Sequence, residues 1–287
     1  KITANWVAAV GGNNGYKLQL FDSQGNAVAG TAANAAKDTL PGSILLNLIP
    51  NFDFGSVRIP GVLQRIALCI AIAAPLVVFA GWRAQAAAIA ALFALYSLPQ
   101  LTISVPQSDG TFLIGALEPG KDFGAWVDRA LLGGHLWAKS KTWDPEGLVS
   151  TLPAVATLLF GVLTGHGLAA ARDAAAKSVW MLLAGLLCLW VGAMLDTVFM
   201  PINKSLWTPS FSVFMTGWAL LVFAAFHWLI DAADSIAVRE RSRQAFLPFT
   251  IFGMNALFIF AFSGFVTKMM AIKFGDPATT MKGLVYA

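Results

Sequence analysis

The densest run of side chains able to do chemistry lies between Asp122 and Gly147. It holds Val127-Asp128-Arg129-Ala130-Leu131-Leu132-Gly133-Gly134-His135, then Thr142-Trp143-Asp144-Pro145-Glu146-Gly147. Asp128, His135, Asp144 and Glu146 read as a polar mouth for a cationic or hydroxylated substrate. A histidine among carboxylates can serve there as a general base near neutral pH. Asp144 and Glu146 also have a structural reading. They directly precede an apolar run, where acids cap exposed helix amides and complement the positive helix end. A second polar stretch, Pro201–Ser210, combines Asn203, Lys204, Ser205 and Trp207 between two prolines. That composition suits gripping a sugar or an anion, or forming an ordinary interfacial belt.

Isolated polar residues add to these stretches. Gln64 and Arg65 open an apolar run; Arg65 either snorkels to the interface or lines an outward cavity. Asp196 is placed to pair with Arg65 or Lys204, or to reach interfacial water. Asn255, in Gly253-Met254-Asn255, puts an amide at lipid depth, where it glues helices together or lines a site. His227 and Asp231, four apart, share a helix face and read as a local hydrogen-bonded pair. His166 reads as interfacial. No metal-ligand spacing, phosphate loop or Ser/His/Asp set stands out.

The elements that position these groups follow from composition. The chain has 287 residues, 57% hydrophobic and 12% charged, with a mean hydropathy of +0.68. Soluble domains carry about 25% charged residues, so a soluble enzyme and a disordered chain are both excluded. The net charge of +4 is scattered, without the dense basic run that nucleic-acid binding needs. The two cysteines, Cys69 and Cys188, sit in apolar runs and indicate no disulfide framework.

A bilayer core about 30 Å thick needs roughly 20 apolar residues as helix. Segments near Val62–Gly81, Gln85–Val105, Leu148–Ala169, Ser178–Met200, Phe211–Ile230 and Phe246–Met270 meet that test. The alternation of a membrane barrel is absent from them. The expected fold is therefore an all-α membrane protein, a polytopic bundle of about six transmembrane helices with a long extracytoplasmic loop. Pro75, Pro99 and Pro153 fall inside spans and predict kinks.

Orientation comes from the loops. Arg83, Arg172 with Lys177, and Arg239, Arg241 with Arg243 mark three alternate loops as cytoplasmic. The loop 106–147 and the loop Pro201–Ser210 then lie outside. Residues 1–41 form an atypical polar segment with one strand-like piece, Tyr16–Phe21, and a turn signal at Asp22–Asn26. The rest, 42–287, is the membrane domain. Gly42–Pro50 reads as the tail of a span and Met281–Ala287 as the start of one, as expected of a piece of a larger protein.

Five motifs occur in order: Arg58-Ile59-Pro60-Gly61-Val62-Leu63-Gln64-Arg65-Ile66-Ala67, Val127–His135, Asp144-Pro145-Glu146-Gly147, Ile202–Trp207 with Ser210, and Gly253-Met254-Asn255. Together they resemble the heparan-alpha-glucosaminide N-acetyltransferase family, including its bacterial membrane relatives, over roughly residues 42–270. The resemblance implies a transmembrane acyltransferase that takes acetyl from cytosolic acetyl-CoA and delivers it to an amino sugar on the far side of a bacterial inner membrane. It places Asp128, His135, Asp144 and Glu146 on the sugar side, the periplasm, as the loop charges do. It sets Asn203, Lys204 and Asn255 at motif positions lining the cavity, with Gln64, Arg65 and Trp207 beside them. The family's proposed active-site histidine belongs to a segment preceding the matched region, so no residue is assigned catalysis. An incomplete bundle exposing Gly, Ala and Trp faces would benefit from pairing as a homodimer. A sugar permease and a non-catalytic membrane subunit are the competing readings; no repeat relates spans one to three with four to six, which counts against the permease.

Overall fold

The computed structural model describes residues 3–8, 16–21, 55, 57–137, 139–170, 172–270, 273–274 and 279–280. Gly42–Pro50, the turn signal Asp22–Asn26 and Met281–Ala287 lie outside the described residues. The protein is an all-α membrane protein. Five helices are long and apolar enough to cross a bilayer: α1 (Val62–Phe79), α2 (Trp82–Thr102), α4 (Thr151–Ala169), α5 (Ala174–Val198) and α6 (Pro209–His227), the last prolonged by a π-turn over Trp228–Ala232. Between α2 and α4 lies the short loop helix α3 (Phe123–Leu132).

Helix ends follow local chemistry. α1 starts after Pro60-Gly61 and stops before Gly81. The turn into α2 is tied by Gln85, whose amide donates to the last carbonyls of α1, Leu76 O at 3.2 Å and Ala80 O at 2.9 Å. Asp173 caps α5 through Ala176 N–H at 2.9 Å, and Thr208 caps α6 ahead of Pro209. The fourth span therefore begins at Ala174 rather than near Ser178, because the cap recruits a turn of alanines that hydropathy alone does not single out.

The bundle has two packed groups. α4 sits centrally, touching α1, α2, α5 and α6. Its buried Ala154, Val155, Ala156 and Leu159 meet Cys69 and Ala73 of α1 and Ile89 of α2. α5 and α6 form a close antiparallel pair around Met181, Leu220 and Ala224. Small residues bring their backbones together: a Cβ on Gly217 would lie 2.7 Å from Leu189 N and 2.8 Å from Gly185 O. Outward faces expose Ile70, Val78, Leu98, Leu187 and Trp190. In water such a surface would be an aggregation liability; against hydrocarbon it is the ordinary exterior of a membrane helix.

The sixth apolar segment departs from expectation. It is not one straight helix over Phe246–Met270 but two, α8 (Leu247–Met254) and α9 (Ala256–Met270), bent by 85° at Asn255. The short polar helix α7 (Ile236–Ala245) precedes them. Small antiparallel hairpins complete the described chain: β1 (Thr3–Ala8) with β2 (Tyr16–Phe21), β3 (Ser104–Pro106) with β4 (Phe112–Ile114), and β5 (Lys273–Phe274) with β6 (Thr279–Thr280). The strand at Tyr16–Phe21 thus pairs with an earlier strand.

Candidate functional site

The loop between α2 and α4 folds onto one end of the bundle. Asp122 caps α3, accepting from Ala125 N–H at 3.2 Å. Gln100, in the last turn of α2, reaches it from below: Gln100 Nε2 donates to Asp122 Oδ2 at 3.3 Å and Gln100 Oε1 accepts Phe123 N–H at 3.1 Å. From the other face of α3, Arg129 donates to Gly120 O at 2.7 Å and Thr142 O at 2.9 Å, drawing both loop limbs together. Gly120 has φ +92°, and a Cβ there would sit 3.3 Å from the Trp143 ring.

This framework buries Asp128, which is 3% exposed. Its Oδ1 accepts Leu148 N–H at 2.9 Å, just ahead of α4. Burial pushes the Asp128 carboxyl up to about 6; the Leu148 bond opposes the rise, while Asp144 and Asp122 reinforce it. Asp122 is also raised, again chiefly by burial, with the Gln100 and Ala125 bonds opposing. Its second oxygen, Oδ1, is buried and has no hydrogen-bond partner among the described residues.

Asp144 and Glu146 do not cap α4. Its N-cap is Ser150, and both acids are held by Arg58, which enters from the segment before α1. Arg58 donates to Asp144 from Nε at 2.8 Å and from Nη2 at 2.5 Å, a bidentate clasp, and pairs with Glu146 as well. Burial alone would lower the Arg58 guanidinium, but the two carboxylates outweigh it and raise it. Two further bonds pin the same strap: His135 Nδ1 donates to Val57 O at 2.8 Å and Ile59 N–H donates to His135 O at 3.0 Å. His135 is therefore committed through Nδ1 to holding the strap.

Beneath the strap, Arg65 is held inside the protein. Its guanidinium donates to Ser150 Oγ and lies 4.8 Å above the Trp207 ring. Trp207 sits at φ +56°, an uncommon backbone for a non-glycine, secured by its own loop. Asn203 Oδ1 accepts from Ser205 N–H at 2.9 Å and Leu206 N–H at 3.3 Å, and the indole donates to Thr157 Oγ1 at 3.2 Å. Asn203 thus shapes this loop, and Lys204 is exposed on it. Gln64 folds back toward Gly61.

A small recess opens between these groups, lined by Gln100, Asp122, Gly124, Ala125, Asp128, Trp143, Asp144, Ser150, Ser205 and Leu206. Its cavity volume is about 10 Å³, room for one water-sized group. Among the described residues, no group of three or more His, Cys, Asp or Glu side chains is arranged to hold a metal ion.

The structure thus brings Asp128, His135, Asp144, Glu146, Arg65 and Trp207 to one end of the bundle, with Asn203 in the loop beside them. Asn255 is not brought there; it is exposed at the α8–α9 bend and donates to Ile251 O at 2.9 Å in its own helix. Other expected pairs give way to different partners. Asp196 accepts Ile202 N–H at 2.5 Å. His227 bonds Ser178 at 2.7 Å rather than Asp231, which pairs with Arg243 at 3.3 Å. His166 Nε2 donates to the fully buried Gln85 at 3.0 Å. Residues the sequence did not single out as ligands, Arg58, Gln100, Asp122 and Ser150, complete the site. Of these, Asp122 left a local signal as a capping residue before Phe123-Gly124-Ala125, and Arg58 opens the first of the five motifs.

No family model matches the chain. It is 27% identical over 271 residues to heparan-alpha-glucosaminide N-acetyltransferase of Homo sapiens, covering 76% of this chain and 39% of that protein. It is 25% identical over 270 residues to the Mus musculus protein of that name, covering 76% and 40%. The chain spans about two fifths of the length of these curated relatives. The aligned stretch is long enough, and the two matches consistent enough, to make this chain a distant relative of the heparan-alpha-glucosaminide N-acetyltransferases.

Proposed function

We propose that this chain carries the acceptor end of a transmembrane acyltransferase, which moves acetyl from cytosolic acetyl-CoA to the amine of an amino sugar on the other side of the membrane. The observation that carries the reading is Asp128: a buried carboxyl pushed up to about 6, lining a small recess, in a chain related to N-acetyltransferases. A carboxylate with that proton affinity accepts a proton from an ammonium more readily than an ordinary aspartate does. Asp128 takes that proton. The neutral amine would then form its N–C bond to the acyl carbon as the C–S bond breaks with its electron pair going to sulfur; the surplus proton on nitrogen passes to water, and Asp128 gives its proton to the thiolate, which restores the carboxylate. Arg58 keeps Asp144 and Glu146 in place, so the negative field at the recess is fixed before the sugar arrives.

The opposite end of the bundle carries the chemistry suited to a donor. Arg172, Lys177, Arg239 and Arg241 are exposed or half-exposed there, and cationic side chains of this kind fit the phosphates of acetyl-CoA. When bound, acetyl-CoA supplies an activated acetyl thioester. Spans of 18 to 25 residues separate the two ends by roughly 30 Å. On this reading the arginine-rich turns face the cytoplasm and the loop 106–147 the periplasm of a bacterial inner membrane, the orientation that the loop charges support.

The test is reconstitution of the purified protein into liposomes with labelled acetyl-CoA and glucosamine. N-acetylglucosamine formed by the wild type and lost in Asp128→Asn is the expected result. Glucosamine uptake without acetylation, or acetylation undiminished in Asp128→Asn, overturns the reading.

A further inference from the structure

The hairpin β3–β4 leaves a membrane span and turns one apolar face away from the protein. α2 has 21 residues, the length that crosses roughly 30 Å of hydrocarbon, so Thr102 at its end lies at a bilayer surface. β3 begins two residues later, at Ser104, which keeps the hairpin at that boundary.

The pairing fixes which residues share a face. Ser104 stands opposite Ile114 and Pro106 opposite Phe112, while Val105 and Leu113 point the other way. Val105 is 3% exposed and β3 packs against α3, so the Val105–Leu113 face is the one turned to the protein. The other face is open: Phe112 is 68% exposed and Ile114 66%. The hairpin that presents them is firmly built. Gln107 N–H donates to Thr111 O at 2.8 Å, Asp109 Oδ1 accepts Thr111 N–H at 3.0 Å, and Gly110 turns the chain at φ +82°. Gln107 Nε2 donates to Lys121 O at 3.1 Å, joining the hairpin to the residue before Asp122. At the root, a Cβ on Gly115 would lie 3.8 Å from Leu101 O in the last turn of α2.

This open face continues the lipid-facing exterior of the bundle. Leu95, Leu98 and Thr102 form one exposed stripe of α2, apart from the buried Tyr96, Ser97 and Gln100. Ile103, also exposed, carries the stripe past the helix end toward Pro106, Phe112 and Ile114. The charged groups over residues 104–121 are Asp109 at the tip and Lys121, which pairs with Glu118 at 2.7 Å, so no surplus of positive charge calls for an anionic headgroup. An apolar flank beside a polar tip suits a segment lying along the membrane surface.

We propose that the β3–β4 hairpin is a lipid-surface anchor: Phe112 and Ile114, with Ile103 and Pro106 beside them, enter the headgroup–acyl boundary of the leaflet next to the acidic loop. The partner is the apolar boundary of the bilayer, whatever the charge of its headgroups. The anchor is independent of the proposed acyl transfer and stands or falls without it.

The experiment attaches a nitroxide to the full chain at Phe112→Cys, Ile114→Cys or Asp109→Cys, in phosphatidylcholine liposomes. Labelled wild type gives the background from Cys69 and Cys188, which lie within spans. All three positions are exposed, and unchanged thermal midpoints report that the fold is kept. Power saturation then compares collisions with oxygen, which concentrates in lipid, and with a water-soluble nickel chelate. The expected oxygen-to-nickel ratio is severalfold higher at 112 and 114 than at 109, and unchanged when phosphatidylglycerol is added. Equal ratios at the three positions overturn the proposal, as does a high ratio that requires phosphatidylglycerol. Few collisions with either reagent, or dipolar broadening between labels, would mean that protein covers the face, either this chain or a second copy, and overturns it too.

Discussion

Gly147 and Asp128 are packed so closely that no other residue type fits between them. A Cβ on Gly147 would lie 2.8 Å from Asp128 Cγ and 3.0 Å from Oδ1, inside contact distance for carbon and oxygen. This approach lets the carboxylate reach Leu148 N–H one residue further on. The glycine is needed for space rather than for an unusual backbone angle.

Gly147→Ala is therefore expected to drive the Asp128 carboxylate off Leu148. Losing one buried charge-assisted bond and overpacking the contact together cost about 2–3 kcal/mol. A drop in thermal midpoint in detergent, with acetyl transfer falling in parallel, checks this. Unchanged stability would mean that the loop gives way without strain.

Asp128 itself makes stability depend on pH. The folded chain keeps its proton up to about pH 6, whereas an unfolded aspartate releases it near 3.8. Between those values the native state binds more protons than the unfolded state, so unfolding free energy falls as pH rises through this window. Above it the full penalty, about 3 kcal/mol, is in force. Asp128→Asn keeps an acceptor for Leu148 and removes the charge. Its stability advantage over the wild type is expected to be small below pH 4 and to grow to a plateau above about pH 6. Denaturation curves across that range check it; a constant difference would place the raised carboxyl elsewhere.

Arg58 supports the other two acids. Its side chain is 14% exposed against 0% for Asp144 and 19% for Glu146, so these are largely desolvated charges. Removing one partner of such a set strands the rest, at about 3–5 kcal/mol. Arg58→Ala is expected to lose that much, and Arg58→Lys to recover only part, since an ammonium lacks the planar fork that meets Asp144 at two points. Chemical denaturation of the three proteins gives the ranking.

The positions of these groups show what a linear sequence reveals. Spans are legible because each is a local run: α1 and α4 begin or end within a few residues of the hydropathy limits. Asp144 and Glu146 read from sequence either as caps or as part of a polar mouth; their partner Arg58 lies 86 and 88 residues earlier, and nothing local announces such a pairing. The Asp122–Gln100 contact failed to show for the same reason; it depends on where α2 ends relative to the loop. Asn255 stood at apolar depth by sequence, but the 85° bend removes it from any straight span. The cluster at Asp128, by contrast, could be found from composition alone, because acids and histidine are rare in a chain with 12% charged residues.

Helix packing gives a contrast between glycines. A Cβ on Gly217 meets the α5 backbone at Leu189 N and Gly185 O, whereas one on Gly161 meets nothing within 4 Å. Gly217→Ala is expected to force α5 and α6 apart at about 1–3 kcal/mol. Gly161→Ala should be neutral or slightly stabilising through helix propensity. Paired thermal melts decide it; equal effects would mean that α5 and α6 are not in close backbone contact.

Topology is the prediction on which the chemistry turns. Lys139 is exposed on the acidic loop, 5.8 Å from the Trp137 ring, and Arg241 is exposed on α7 at the other end of the bundle. The native thiols are poor competitors for a water-soluble reagent, since Cys69 is buried and Cys188 half-buried within spans. Lys139→Cys is expected to react with a membrane-impermeant maleimide in intact spheroplasts, and Arg241→Cys only after lysis. The reverse pattern would place Asp128 on the side where acetyl-CoA is made, removing the need to carry an acetyl group across the bilayer. The matching outcome leaves roughly 30 Å of bundle between donor and acceptor ends. Transfer would then require a path along α4, the helix that touches four of its neighbours.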